Sequence, residues 1–202
     1  MPLRSDIQKV VILGSGPIVI GQACEFDYSG TQACKALMSL GLEVVLINSN
    51  PATIMTDPEI ATRVYIEPLK LPFIEKILEH ESPDAIIPTL GGQTALNLAL
   101  ELDRAGVLNR LNIKMLAANP EVIQRAEDRE KFSRILDSIG AKYPKSRLVK
   151  NFEDGVEFAE TLGFPIILRP NYTLGGGGGG IAFSMEDFKN RLVRALHESP
   201  TQ

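Results

Sequence analysis

An arginine and a run of six glycines stand close together late in the 202-residue chain: Arg169, then Pro170-Asn171-Tyr172-Thr173-Leu174, then Gly175 to Gly180. Glycine lacks a Cβ, so consecutive glycines can bring several backbone N–H groups against a ligand without steric cost. Amides gathered this way form a concavity for anions, phosphate in particular. A neighbouring guanidinium adds donors that do not titrate away. The same composition also suits a flexible linker. The flanks separate the two readings. Phe164 to Leu168 is a short apolar run bounded by Gly163 and Pro170, and Ile181-Ala182-Phe183 follows the glycines. Both read as strands, and strands at both ends fit a loop that wraps a phosphate better than a linker. It is not a Walker loop, which ends in Gly-Lys-Ser/Thr and opens a helix, because Gly180 leads into Ile181 and Ala182.

A second glycine turn, Gly14-Ser15-Gly16-Pro17-Ile18-Val19-Ile20-Gly21, has the outline of a dinucleotide-binding turn. Its third glycine comes two positions late for Gly-x-Gly-x-x-Gly. A nicotinamide site also wants an acidic residue at the end of the next strand. Asn48, Ser49 and Asn50 stand there instead. A third turn, Pro88 to Gln93, follows another short apolar run. His80 and His197 have no partner motif and read as solvated helix residues, while Cys24 and Cys34 lack Cys-x-x-Cys spacing and read as free thiols of a reduced compartment.

The elements that must position these turns are legible in the apolar pattern. Lys9 to Leu13, Glu43 to Ile47, Arg63 to Ile66, Ala85 to Ile87 and Ile113 to Leu116 read as strands. Between them lie helical patterns: one within Asp27 to Leu40, capped by Ser29 or Thr31 and stopped by Gly41, one over Leu71 to His80, and one from Gln93 through Leu102. Alternating strands and helices predict an α/β, doubly wound parallel sheet. From Asn119 the character changes. A short helix over Pro120 to Gln124 is followed by one capped by Asp128 and running to Ser138, with Phe132, Ile135 and Leu136 inward and Gly140 as its stop. A strand around Arg147 to Val149, a helix from Phe152 to Leu162 and a last helix from Met185 to about His197 complete a second module. A boundary near Glu127 follows.

Hydrophobic residues make up 44% and charged residues 23%, with a net charge of −4. That balance is ordinary for a globular protein and argues against nucleic acid or an acidic membrane as the main partner. No apolar run approaches a membrane span, and residues 1–9 lack the core of a signal peptide.

Several long strings resemble the N-terminal part of the carbamoyl-phosphate synthase large-chain family. They are Gly14-Ser15-Gly16-Pro17-Ile18-Val19-Ile20-Gly21-Gln22 through Cys24-Glu25-Phe26-Asp27-Tyr28-Ser29-Gly30, then Asn48-Ser49-Asn50-Pro51-Ala52-Thr53-Ile54-Met55-Thr56-Asp57, then Gly91-Gly92-Gln93-Thr94-Ala95-Leu96-Asn97, and Arg169-Pro170 with the glycine run. The resemblance covers essentially the whole chain; Gly177 stands where the family leads one to expect serine. It implies a Rossmann-like pre-ATP-grasp domain over residues 1–127 and the beginning of an ATP-grasp domain over 128–202, with the glycine-rich loop at 175–180.

The implied chemistry is the carboxyphosphate-forming half of a glutamine-dependent ligase. Two ATP, bicarbonate and ammonia give carbamoyl phosphate for arginine and pyrimidine synthesis in the cytoplasm. The implied partners are the remainder of the large chain and a glutamine amidotransferase small subunit. By the same resemblance Arg129 and Arg169 contact the nucleotide, Gly175 and Gly176 cover its phosphates, and Glu25 lines a carbamate tunnel. No catalytic residue or metal ligand carries over; Mg2+ or Mn2+ ligands are expected beyond residue 202. The chain therefore reads as an N-terminal fragment without synthase activity of its own, with a glycine loop that orders only on nucleotide. Taken alone, Arg129 in its charged helix start and Glu25 in its loop read as solvated residues. Two other readings stay open: a non-catalytic nucleotide-binding or interaction module of the ATP-grasp superfamily, and a nicotinamide-binding domain.

Overall fold

The computed structural model describes residues 4–18, 25–170 and 179–198. It divides into two compact units, Met1–Ile123 and Gln124–Gln202.

The first unit is a five-stranded parallel sheet. Its strands are β1 (Lys9–Leu13), β2 (Glu43–Asn48), β3 (Arg63–Ile66), β4 (Ala85–Ile87) and β5 (Lys114–Met115), in the order β3-β2-β1-β4-β5. The α/β parallel architecture is as expected. Val10, Val11, Ile12 and Leu13 of the central strand are fully buried, as a strand covered on both faces requires. On one face, Val11, Leu13, Val45, Ile47 and Ile86 pack with Ile74 and Leu78 of α2 (Leu71–Glu81) and with Ala95, Leu98 and Leu102 of α3 (Gly92–Arg104). On the other, Ile12, Val44 and Leu46 pack with Cys34 of α1 (Glu25–Ser39) and with Met55. A single helical turn, α4 (Val107–Arg110), precedes β5, and α5 (Pro120–Glu127) carries the chain across the division between the units.

Two expectations in this unit are corrected. Ser29 and Thr31 are not caps; α1 begins at Glu25, and they lie inside it. Their hydroxyls donate back to the carbonyls of Phe26 (3.3 Å) and Asp27 (2.8 Å), an alternative use of short polar side chains within helices. Leu40 lies beyond the helix and is exposed. The proline-punctuated stretch after β2 contains a 3-10 turn, Ile54–Thr56, held by one buried carboxylate. The Asp27 oxygens accept from the backbone N–H groups of Met55 (3.0 Å) and Ile54 (3.2 Å).

At the amino ends of the strands a second buried carboxylate acts as a hub. Glu81, 3% exposed at the end of α2, accepts from Arg63 Nη1 at 2.8 Å, Tyr65 Oη at 2.5 Å and Lys9 Nζ at 3.3 Å. It ties α2 to β3 and β1.

The second unit holds α6 (Arg129–Ser138), α7 (Phe152–Leu162), the antiparallel strands β6 (Ile166–Leu168) and β7 (Gly180–Ala182), and α8 (Met185–Glu198). Asp128 caps α6 as expected, its Oδ1 accepting from the N–H groups of Glu130 and Lys131, both at 3.0 Å. Gly140, with φ +68°, ends it. Ile166, Leu168 and Ala182 form one face of the hairpin and pack on Ala159 of α7 and on Phe188 and Leu192 of α8. Gly155 allows that contact to be close, since a Cβ there would meet Leu192 Cδ2 at 2.5 Å. Two expectations fail here. Residues 141–150 contain no strand, and they are mostly exposed. Helix α6 buries no residue, and Phe132, expected to face inward, is exposed. An apolar spacing shows which residues share a face, and here nothing described in the unit covers that face.

Candidate functional site

The hairpin positions the first candidate site. Leu168 pairs with Gly180, so the segment 169–179 leaves and re-enters the sheet at adjacent points. Arg169 is the first residue of that segment. Arg129, the first residue of α6, directs its Nη2 at the Pro170 carbonyl, 3.5 Å away. Arg129 is exposed as a residue, but its guanidinium end is partly enclosed. Burial is the main force lowering its pKa, and the charge of Arg169 lowers it further, against an opposing pull from Glu127. The two guanidinium groups therefore share one electrostatic neighbourhood. Among the described residues neither has a carboxylate within ion-pair distance. Two neighbouring cations without an ion-pair partner, one of them partly desolvated, favour a bound anion. Bidentate guanidinium donors suit phosphate oxygens. Gly175, Gly176 and Gly177, and the expectation that their loop orders only on nucleotide, lie outside the described residues.

The second candidate is the set of turns at the carboxyl ends of β1, β2 and β4, where the strand order reverses and where ligands gather in open α/β sheets. Asn48, 1% exposed, organises it. Its Oδ1 accepts from the N–H groups of Gly16 (2.8 Å) and Ser49 (3.0 Å). Gly16 has φ +76°, a conformation that favours glycine. A Cβ on Gly14 would meet Asn48 Cγ at 2.6 Å, and one on Gly91 would meet the Leu13 carbonyl oxygen at 2.5 Å. The turns thus interlock around side chains they have no room to add. Asn48 occupies the place of the ribose-binding carboxylate in a nicotinamide site and is turned inward to cap the glycine turn. Its structural role was not read from the sequence; an asparagine ending a strand beside a glycine turn was the available signal. Glu25 is exposed at the start of α1, and residues 19–24, which precede it, are outside the described set.

Other groups with potential chemistry are quiet. Cys34 is buried, and burial pushes its thiol up to about 12. His80 and His197 are exposed on α2 and α8. Among the described residues no group of three or more His, Cys, Asp or Glu side chains could hold a metal ion, and no helix is long and apolar enough to cross a membrane.

Comparison with known proteins joins both sites to one family. The family described as carbamoyl phosphate synthase preATP-grasp domain matches residues 6–125, and that described as carbamoyl-phosphate synthase L chain, ATP binding domain, matches residues 128–202. The chain is 58% identical over 200 residues to the carbamoyl phosphate synthase large chain, N-terminal section, of Aquifex aeolicus, covering 99% of this chain and 36% of that protein. It is 54% identical over 202 residues to the carbamoyl phosphate synthase large chain of Pseudomonas syringae, covering all of this chain and 19% of that one. It thus spans about a third of the first relative and about a fifth of the second. Among solved structures, the biotin carboxylase of Campylobacter jejuni superposes with a TM-score of 0.69 at 19% identity, covering 95% of this chain and 42% of that one. The biotin carboxylase domain of 2-oxoglutarate carboxylase from Hydrogenobacter thermophilus, solved with MgADP and bicarbonate, gives 0.68 at 21%, with the same coverages. At these identities the likeness is one of fold.

Proposed function

The chain belongs to the carbamoyl-phosphate synthase large-chain family, and from that premise we propose that it forms one side of the ATP site at which bicarbonate is phosphorylated. In this reading residues 1–127 are the pre-ATP-grasp domain and 128–202 the first part of the ATP-grasp domain. The observation that carries the reading is that Arg129, beside the charge of Arg169, reaches the Pro170 carbonyl at the foot of the hairpin while no described carboxylate is in ion-pair contact with either arginine. Arg169 holds the phosphates, Arg129 the nucleotide beside it, and the amides of Gly175 and Gly176 cover the phosphate oxygens.

Phosphoryl transfer asks of a protein chiefly positioning and charge neutralisation, which this set of groups suits. In the proposed step a bicarbonate oxygen attacks the γ-phosphorus, the bond to the β,γ-bridging oxygen breaks, and ADP departs with that electron pair. Ammonia then displaces phosphate to give carbamate, which a second ATP phosphorylates. Mg2+ or Mn2+, when bound, would neutralise the phosphate charge. The guanidinium groups fix the phosphates in line, and the hairpin excludes water from one side. Glu25 belongs in the proposal as a wall residue of the carbamate tunnel. The glutamine-hydrolysing subunit, the rest of the large chain, the arginine and pyrimidine pathways and the cytoplasmic setting complete it.

Calorimetric titration of the chain with Mg2+ and ATPγS tests the reading. Arg169→Ala removes charge-assisted hydrogen bonds worth about 1.5–3 kcal/mol, so affinity should fall roughly ten- to a hundredfold. Arg129→Ala should weaken binding by less. Unchanged affinity in Arg169→Ala, or no binding by the unaltered chain, would overturn it.

A further inference from the structure

We propose that the uncovered face of α6, with the basic strap that follows it, is the surface on which the remainder of the large chain docks, and that this docking sets the position of Arg129. The inference rests on the family reading for the identity of the partner and on the ATP reading for the consequence at Arg129. The surface itself stands on geometry.

Helix α6 is amphipathic and has no cover. Phe132, Ile135, Leu136 and Ile139 recur at the spacing of one helical face. The helix nevertheless buries none of its residues, and Phe132 and Ile139 are 47% and 70% exposed. In the same unit α7, α8 and the hairpin share one apolar cluster, to which no α6 residue belongs. A ten-residue helix is marginal by itself, because most helical stability comes from packing of the apolar face. The Asp128 cap and the Glu130–Arg134 pair are local and add little. An apolar face left open in this way marks an interaction surface.

The strap over residues 141–150 states the chemistry of the partner. It is irregular and mostly exposed, and it carries Lys142, Lys145, Arg147 and Lys150 with no acidic residue. Among the described residues none of these four cations has a carboxylate in ion-pair contact. Tyr143 ties the strap to the helix, its Oη donating to Asp137 Oδ1 at 2.9 Å. The surface is thus apolar along α6 and cationic beside it. It fits a partner with an apolar centre and a rim of carboxylates. The relatives hold chain for that role, since this one spans about a third of the Aquifex aeolicus protein. A second copy docking the same face would bring two cationic straps to one interface.

Arg129 gives the surface its functional weight. It is the first residue of α6, and its Nη2 reaches the Pro170 carbonyl only at 3.5 Å. A contact that long is weak and does not fix a helix. Docking of the apolar face fixes α6, and with it the guanidinium carried on its first turn.

The test splices this chain into the Aquifex aeolicus relative in place of the matching residues. Chimera and chain alone are compared by amide hydrogen exchange and by Mg2+–ATPγS calorimetry. Amides over 132–139 should exchange about tenfold or more slowly in the chimera. Phe132→Asp should return them to the rate of the chain alone and weaken ATPγS binding by the chimera about tenfold. In the chain alone the same substitution should move Tm by less than about 2 °C, because the side chain is already exposed. If the chimera does not fold, aspartate at the matching position of the relative itself gives the same exchange readout. Equal exchange over 132–139 in chain and chimera would overturn the inference, as would protection that survives Phe132→Asp. Protection in the chain alone that rises with concentration would assign the face to a second copy and overturn it as well. Absence of ATPγS binding beside intact, Phe132-dependent protection would fell the ATP reading and support the docking surface.

Discussion

Replacing Glu81 by glutamine should loosen the central sheet measurably and in a pH-dependent way. The carboxylate is buried and accepts from Arg63, Tyr65 and Lys9. Glutamine keeps the shape and one acceptor oxygen, but loses the charge and turns an NH2 group toward cationic donors. Breaking a buried ion pair costs about 3–5 kcal/mol when the partners stay buried. Here Arg63 is 56% exposed, and Lys9 keeps Glu43 Oε2 at 3.3 Å and the Glu81 carbonyl at 3.1 Å. Discounting for that solvation leaves about 2 kcal/mol. At 1.36 kcal/mol per decade, this is roughly a thirtyfold loss of amide exchange protection in the central strand. Hydrogen exchange of Val11 and Ile12 at neutral pH reads it directly.

Burial alone would raise the Glu81 pKa, but the hydrogen bonds from Tyr65, Arg63 and Lys9 outweigh it, and the net shift is downward. The charged carboxylate is therefore the form that folding favours. Its contribution is complete above the unfolded value of about 4.3 and is lost as pH falls through the lower folded value. The gap in urea midpoint between the two proteins should narrow on acidification. Equal stability at pH 7, or a gap that widens in acid, would refute the reasoning.

Other substitutions probe separate features. Gly91→Ala places a methyl against the Leu13 carbonyl and Ala95 Cβ, both stiff, and should cost about 1–3 kcal/mol, seen as a lower urea midpoint for the first unit. Asp128→Ala removes the cap of α6 and should cost about 1 kcal/mol, read as faster exchange at Glu130 and Lys131. Cys34, buried and with its thiol raised to about 12, should resist iodoacetamide at pH 8 in the folded chain and react once urea unfolds it; peptide mass spectrometry at Cys34 distinguishes the outcomes.

The sheet was legible because its inner strands are buried on both faces and so read as unbroken apolar runs. The inner strands Lys9–Leu13 and Ala85–Ile87 have the expected limits, as does the edge strand Arg63–Ile66. Helix α7 has the expected limits, and the structure adds that Asn151 caps it and Gly163 stands at its end. What failed were features that depend on partners. Leu148 looks like part of a strand, yet backbone pairing is a property of two segments, and nothing described pairs with residues 141–150. Phe132 shares an apolar face with Ile135, but a face is not a burial. At the site, Arg169 was legible from its place beside the glycines, whereas Arg129 sits among Glu127, Asp128, Glu130 and Lys131 and looks solvated. Only the resemblance singled it out.

The position of β1 at the centre of the sheet also has a kinetic consequence. Val10 pairs with Val44 on one side and with Ala85 on the other. Strand β1 must wait for a partner 75 residues downstream. At about 5–20 residues per second, a ribosome takes roughly 4–15 s to deliver it. During that interval β1, β2 and β3 can pair but the other edge of β1 stays open, and parallel pairing across such separations is intrinsically slow. The hairpin of the second unit faces no such delay, since Leu168 and Gly180 are only 12 positions apart. Nascent-chain aggregation should therefore peak before β4 emerges, and chaperone demand should belong to the first unit.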